Sequence, residues 1–501
     1  MKTICDFARQ RANLSPTAVA FTDVSTGWTV TFAALEDRAE RFAAAMEARG
    51  FAPGDRIAVL CHNTSVFFEI LFGCAKAGLI LVPLNWRQTP AELMPILADC
   101  GATLLLHDDA NQALAQSLTA GATVKALSFA RLGELLDASA PRARETAWPA
   151  ERTWYLLYTS GTTGKPKAVI QTAGMAIANY INVQQATGLS SSDGTPNFLP
   201  LFHTAGINLH ALPVFLAGGT SYVLAKFDVD AVLDLIEAGK LTVVFGVPAI
   251  YQAISLHPRF EHADFAPVRH WGCGGAPLSE SLIRTLMARG IRVCNGMGMT
   301  ETGPTVFFMD QARAAEKIGS VGKPQIMSEV RLVDPDGKDA PQGEAGEIWF
   351  RGPGVTPGYD RNAEATANAF EGGWLKSGDV GRRDADGYYY IVDRIKDMYI
   401  SGGENVYPAE VEAVLHAFPA VLEAAVVGVA DAKWGEVGHA VVRARPGQPI
   451  DAEALKVFAR ERLAACKVPK HVTIVDDFPR TAAGKVQKHL LRRQIPAEGK
   501  P

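Results

Sequence analysis

Tyr158-Thr159-Ser160-Gly161-Thr162-Thr163-Gly164-Lys165-Pro166-Lys167 is the stretch on which the reading of this sequence turns. Its glycines let backbone N–H groups come close to an oxyanion, its Ser and Thr hydroxyls add donors, and its two lysines add positive charge. A polyphosphate needs all three. The apolar run Trp154 to Leu157 just before it supplies a strand to carry the loop. The segment is not a Walker loop, because the glycines lack the four-residue separation and Pro166 stands where Ser or Thr would bind magnesium. Taken alone, a Ser/Thr/Gly cluster is equally a solvated turn.

Working outward, the chain before the loop alternates helical and extended patterns. Phe32 to Arg49 spaces its apolar residues as a helix does, Pro53-Gly54-Asp55 marks a turn, and Arg56 to Cys61 reads as a short strand. A second helix is expected over Ser65 to Ala77, followed by the buried-strand run Leu79-Ile80-Leu81-Val82, which Pro83 stops. Short apolar runs at Leu104 to His107, Ser221 to Leu224, Val243 to Phe245 and Val268 to Trp271 continue the alternation. This order predicts parallel sheet covered by helices. From Glu329 the texture changes. EVRLVDPDGKDAPQGEAGEIWFRG (329–352) and DVGRRDADGYYYIVDR (379–394) alternate in hydrophobicity around Asp-Gly turns. They predict antiparallel hairpins, a small barrel or distorted sheet. After Arg394 helix and strand signals resume over a block the size of a small domain.

Composition bounds what such a chain can be. Single cores seldom grow past about 250–300 residues, so 501 residues imply several domains. A net charge of −4 gives no overall attraction to nucleic acid or an anionic membrane. The seven cysteines are scattered with no CxxC pair, which argues against a disulfide framework or a zinc site. The most apolar stretch, Phe67 to Leu84, is broken by Glu69, Lys76 and Pro83, so it suits a core helix and strand better than a membrane span. The opening MKTICDFARQRA is polar where a secretory leader is apolar, and a cytoplasmic protein is expected.

The loop and the motifs that follow it, in their order along the chain, resemble the adenylate-forming superfamily, in its acyl-CoA synthetase and aryl-CoA ligase branch. The resemblance implies an α/β fold: a large N-terminal domain (1–394) of parallel α/β subdomains with a small β-barrel-like subdomain, a hinge (395–398), and a small mobile α+β C-terminal domain (399–501). It also implies an AMP-forming carboxylate–CoA ligase: acid and ATP give acyl-adenylate and pyrophosphate, then coenzyme A gives acyl-CoA and AMP. ATP or AMP, magnesium and coenzyme A would be its cofactors, and a monomer or homodimer its assembly.

Individual roles follow by the same resemblance. Thr159, Ser160, Gly161, Thr162, Thr163, Gly164 and Lys167 would hold phosphates. In Asn295-Gly296-Met297-Gly298-Met299-Thr300-Glu301, Thr300 would bond the α-phosphate and Glu301 the magnesium, since a carboxylate beside a phosphate loop repels ATP unless a cation lies between. Met297 stands where the family usually stacks Tyr or Phe on adenine, and ordinary core packing is the competing reading for it and Met299. Gly272, Gly274, Gly275, Ala276 and Pro277 resemble the adenine-side loop. Asp379 would accept from the ribose hydroxyls, Arg394 would support ribose or phosphate, and Lys396 would mark the hinge. Lys485, in Pro479-Arg480-Thr481-Ala482-Ala483-Gly484-Lys485, would reach the carboxylate and α-phosphate during adenylation. Gly402, Gly403 and Trp434 resemble the coenzyme A side.

The acid pocket would be lined by His203, Val247, Gly272, Gly298, Pro304 and Thr305, with no proton transfer assigned to His203. Its small apolar character suits an aromatic or hydroxycinnamate-type acid, with a medium-chain fatty acid as the alternative. An adenylating enzyme that loads a carrier protein is the nearest rival, and the sequence holds no carrier domain after Lys485. A P-loop nucleotidase lacks its spacing here, and a dinucleotide oxidoreductase lacks its third glycine. A non-catalytic relative would have little use for Glu301, Asp379, Arg394 and Lys485 together.

Overall fold

Apolar runs too short for helices make the first sheet of this computed structural model, in the order Pro166–Thr172, Thr153–Ser160, Ile80–Pro83, Arg56–Leu60, Leu104–His107, Lys125–Ser128. The structure describes residues 2–121, 123–141, 147–160, 166–276, 278–394, 396–402, 404–431, 433–481 and 484–495. All strands of this sheet but the edge strand Pro166–Thr172 run parallel. The inner strands are almost wholly buried, as strands covered on both faces are. Helices Phe32–Ala48 and Ser65–Ala77 lie where the apolar periodicity puts them. They pack closely: a Cβ on Gly73 would stand 2.5 Å from the Phe42 ring.

A four-stranded sheet, Gly194–Asn197, Thr220–Val223, Val19–Asp23, Trp28–Thr31, lies beside an aromatic core in which Phe21 stacks on Phe68. The parallel strands Val243–Gly246, His270–Cys273 and Val293–Met297 begin a third, ten-stranded sheet. The strand expected over Val268 to Trp271 starts later because the Val268 N–H donates to the Phe265 carbonyl (3.1 Å) and closes a turn first. The hairpins expected after Glu329 are present, and they extend this sheet antiparallel through Phe307–Phe308 and Ser320–Pro324. Beyond Arg394, a five-stranded sheet with helices Pro408–His416 and Ala452–Arg460 builds a separate core around Tyr399, Val411 and Leu455. No helix among the described residues is long and apolar enough to cross a membrane.

Helix Ala173–Thr187 ties the parallel half to the segment after Met297. Thr172 caps it by accepting from the Met175 N–H (3.2 Å), and Gly188 ends it with φ +63°. Its buried amides then act as a splint. Asn182 donates to the Thr305 carbonyl (2.9 Å) and Ser328 Oγ (3.1 Å) and accepts from the Met327 N–H (2.9 Å). Asn179 accepts from the Thr305 N–H (3.2 Å), and Gln171, on the strand that leads into the helix, donates to the Thr300 carbonyl (2.9 Å). Buried backbone groups left without partners cost about 1–3 kcal/mol each. Asn182→Ala therefore loses at least about 2 kcal/mol, read as a lower thermal midpoint; an unchanged midpoint would show that the splint bears no strain.

Candidate active site

The phosphate-type loop joins two antiparallel strands, with Thr159 opposite Lys167 and Ser160 opposite Pro166. Gly161, Thr162, Thr163 and Gly164 lie outside the described residues. Lys167 projects across the Tyr359 ring, its Nζ 5.1 Å from the centroid. The Tyr359 hydroxyl donates to Glu301 Oε1 (3.0 Å), and the Thr356 N–H holds the Glu301 carbonyl (2.7 Å). Glu301 is buried in the short turn Thr300–Thr302. Burial raises its pKa above the usual carboxylate range, against its own backbone N–H, the Tyr359 hydroxyl and the charges of Lys485 and Lys167.

Backbone forms the wall opposite. A Cβ on Gly298 would stand 1.4 Å from the Pro304 carbonyl oxygen, and one on Gly272 would stand 2.6 Å from the Phe245 ring. Gly274 likewise meets the Phe245 ring (3.0 Å) and the Gly296 carbonyl (3.2 Å). Asn295 sits between them, its carbonyl accepting from Met309 N–H (2.8 Å). Gly275 has φ +83° and leads into Ala276; Pro277 lies outside the described residues. Met297 is half-buried opposite Phe307 and, with Met299, packs against the cluster holding Val306 and Phe307. Thr305 is buried, both backbone groups held by the asparagine splint.

Asp379 and Arg394 face each other on paired strands, with Arg394 Nε 3.1 Å from Asp379 Oδ1. Asp379 is buried, which raises its pKa against the opposing pull of Arg394, Lys485 and Lys396. Lys485 enters this charged cleft from the C-terminal unit. Its Cε comes 3.7 Å from where a Gly275 Cβ would be, and a Cβ on the adjoining Gly484 would stand 3.5 Å from Val247 Cγ2. Enclosure and Arg394 lower the Lys485 pKa to about 8, while Asp379 and Glu301 pull it upward. His203 feels the same ammonium: burial first, then Lys485, lowers it to about 4. Its Nδ1 accepts from the Ala205 N–H (3.3 Å), so the neutral ring carries its proton on Nε2.

The structure thus brings Lys167, Glu301, Asp379, Arg394, Lys396, Lys485 and His203 into one electrostatic neighbourhood. Gly402 and Trp434 form a different surface. The Gly402 N–H donates to the Trp434 carbonyl (2.8 Å), and the indole, 48% exposed, lies so close that a Cβ on Gly402 would meet it at 2.9 Å. Gly403 lies outside the described residues. Tyr359 and Gln171, which hold Glu301 and Thr300, carry no sequence signal beyond their residue types. Among the described residues no three metal-binding side chains cluster. One buried carboxylate, oriented by Tyr359, fits magnesium, which takes one or two protein carboxylates and completes its shell with phosphate oxygens and water. Such a cleft suits a ligand with concentrated negative charge next to a hydroxyl-rich sugar.

Comparison with known proteins agrees with that chemistry. Residues 8–360 match the family described as AMP-binding enzyme, and residues 410–485 match the AMP-binding enzyme C-terminal domain. A feruloyl-CoA synthase from Amycolatopsis is 43% identical over 97% of this chain and 98% of its own length. The Bacillus subtilis o-succinylbenzoate CoA synthetase in complex with its acyl-adenylate intermediate superposes with a TM-score of 0.89 at 32% identity, covering 98% of this chain and 99% of that one. The same enzyme with ATP and a magnesium ion gives 0.88 at 32% identity, again over 98% and 99%.

The backbone wall has a direct test. Gly298→Ala forces a methyl into the Pro304 carbonyl, which backbone cannot give way to cheaply. The variant is expected to melt well below the parent or to fail to accumulate as folded protein. A parent-like melting curve would refute the close approach.

Proposed function

We propose, from the premise that this chain belongs to the AMP-binding enzyme family and is an AMP-forming acid–CoA ligase, that its acid is aromatic, of the hydroxycinnamate type. Support comes from the 43% identity to a feruloyl-CoA synthase over nearly the whole length of both chains. The small residues Gly272, Gly298, Pro304 and Thr305 beside Val247 and His203 suit a flat ring. The reading carries a division into residues 1–394, a hinge at 395–398 and residues 399–501, and a cytoplasmic enzyme acting as monomer or homodimer.

The observation that carries the catalytic reading is Lys485 in a cleft with Asp379, Glu301 and Arg394. A carboxylate must attack the α-phosphorus of an anionic nucleotide, so repulsion is the main barrier. Lys167 and the loop amides hold the outer phosphates, Thr300 bonds the α-phosphate, and Asp379 accepts from the ribose hydroxyls, with Arg394 keeping that carboxylate aimed. Lys485 donates to the incoming carboxylate and to the α-phosphate at once. Glu301, oriented by Tyr359, would hold magnesium, which when bound neutralises phosphate charge. Each donor of this kind is worth about 2.7–4 kcal/mol in a transition state. Catalysis is positioning and charge, with no covalent enzyme intermediate. For the second half-reaction the C-terminal unit turns about Lys396, withdrawing Lys485 and presenting Gly402, Gly403 and Trp434 to the thiol of coenzyme A.

Lys485→Ala is expected to cut pyrophosphate exchange by at least about 100-fold while thioester formation from pre-made acyl-adenylate persists. Equal loss in both assays contradicts the role given to this lysine. The pH profiles sharpen the test. Lys485 is charged below its pKa, so kcat/KM for adenylation, which reports the free enzyme, should hold up to about pH 8 and fall above it. Bound anions favour the ammonium, so the same limb in kcat should lie higher. At the acid end Glu301 must be ionised. Tyr359→Phe removes a donor that stabilises the carboxylate, and should move the acid limb to higher pH; a limb that stays put shows that the Tyr359 hydroxyl does not tune Glu301.

A further inference from the structure

Gln171 stands where the antiparallel strands Thr153–Ser160 and Pro166–Thr172 slip register. It pairs with Tyr155, while the next residue, Thr172, pairs with Thr153, so the ladder is bulged at this point. Bulges gather next to active sites, where they re-aim a side chain. Lys167, Val169 and Gln171 alternate onto one face of their strand. The two polar ones both address the turn Thr300–Thr302. Lys167 does so by charge and across the Tyr359 ring; Gln171 does so by donating from Nε2 to the Thr300 carbonyl (2.9 Å). That carbonyl shares its peptide plane with the Glu301 N–H, which supports the Glu301 carboxylate. One hydrogen bond therefore sets the plane between the two residues.

The oxygen of the same Gln171 amide reaches toward the acid side. It accepts from Asn208 Nδ2 (3.4 Å), and that nitrogen also donates to Thr204 Oγ1 (3.0 Å), next to His203. Asn208 Oδ1 accepts from the Tyr155 hydroxyl (2.6 Å), so the register partners Tyr155 and Gln171 grip one amide from two strands. Tyr155, Gln171, Thr204, Asn208 and Thr300 are all buried, and burial pushes the Tyr155 phenol up, which keeps it a donor. Asn208 lies in Ala205–Leu209, a single π-helical turn, a rare winding found mostly at functional sites. The turn is pressed home: a Cβ on Gly206 would stand 2.2 Å from the Pro200 carbonyl oxygen. Packing alone is served better by apolar side chains, since a buried polar network stabilises only while every member is satisfied.

We infer that Asn208 and Gln171 are positioning residues for adenylation, holding the acid-side segment 203–209 in register with the turn Thr300–Thr302. The inference rests on the reading that the acid lies beside His203 and that Thr300 bonds the α-phosphate. Both amides act through other residues. Each subsite keeps its own contacts without them; what they fix is the separation between the carboxylate oxygen and the α-phosphorus. Attack needs those atoms about 3–3.5 Å apart, and a displacement of about 1 Å costs about 100-fold in rate.

The test is pyrophosphate exchange with magnesium–ATP and 4-hydroxycinnamate, or octanoate if the parent enzyme uses that acid instead. Gln171→Met and Asn208→Leu keep the bulk and remove the bonds. Each is expected to lower kcat per folded enzyme by about 10- to 100-fold, with KM for ATP and for the acid within about threefold of the parent. The double variant should lose no more than the worse single one, because both break one connection. Thr204→Val should lower kcat in the same way and Thr204→Ser should recover it, a pair that still reads out if the amide variants do not fold. Parental kcat in any folded variant among Gln171→Met, Asn208→Leu and Thr204→Val overturns the inference. Losses carried by KM, or losses that add in the double variant, overturn it too and leave these amides a packing role. Thr300→Val separates this inference from the reading beneath it. If Thr300→Val is crippled while the amide variants exchange at the parental rate, the positioning role falls and the reading of Thr300 stands. If Thr300→Val itself exchanges at the parental rate, that reading falls and the positioning role with it.

Discussion

Two carboxylates taken out of water set the terms for the rest of this molecule. Glu301 and Asp379 are both buried, and burial raises both pKa values. A buried charge is tolerated only with partners. Those partners come from far along the chain: Lys167 from the edge hairpin, Arg394 from the ten-stranded sheet, and Lys485 from the C-terminal unit. The fold is the device that brings these segments together. Strands Thr153–Ser160 and Pro166–Thr172 flank the phosphate-type loop, His270–Cys273 and Val293–Met297 carry the glycine wall, and the antiparallel extension carries Asp379 and Arg394 to the same charged cleft.

The cleft spends side chains sparingly. Where charge must be answered it uses Lys, Arg and carboxylate; where a ligand must approach closely it uses bare backbone. Gly272, Gly274 and Gly298 are packed so tightly against Phe245, Gly296 and Pro304 that no side chain could be added without moving main chain or an aromatic ring. Gly402 repeats the device against Trp434 on the other unit.

Much of this was legible in the residues, for physical reasons. Strands such as Arg56–Leu60 and Leu104–His107 are buried on both faces, so their apolar runs announce them with few false signals. The loop 159–167 was readable because phosphate demands glycine, hydroxyl and lysine in a short space. Asp379 and Arg394 are 15 positions apart and meet only through strand register, which motif order hinted at and residue types could not supply. Tyr359 was invisible, because an aromatic in a loop has many uses and only the fold puts its hydroxyl on Glu301. Asn179 and Asn182 carry no mark of their partners, because the backbone groups they hold lie 123 to 145 positions further along the chain.

The role proposed for Lys485 also explains how the two half-reactions can be kept apart. Among the protein's own charges its pKa of about 8 leaves the ammonium only weakly favoured near neutral pH. Nucleotide and acid bring negative charge that favours the charged form, and each pKa unit of that preference is worth about 1.4 kcal/mol. By linkage the same energy favours the arrangement with Lys485 inside. When pyrophosphate departs and the carboxylate is taken into a mixed anhydride that keeps a single phosphoryl charge, most of the negative charge is gone while the desolvation of the ammonium remains. The lysine then gains by returning to water. On that proposal the ligand charge that draws Lys485 in is consumed by the reaction Lys485 promotes, so the step to coenzyme A follows adenylation without a separate signal.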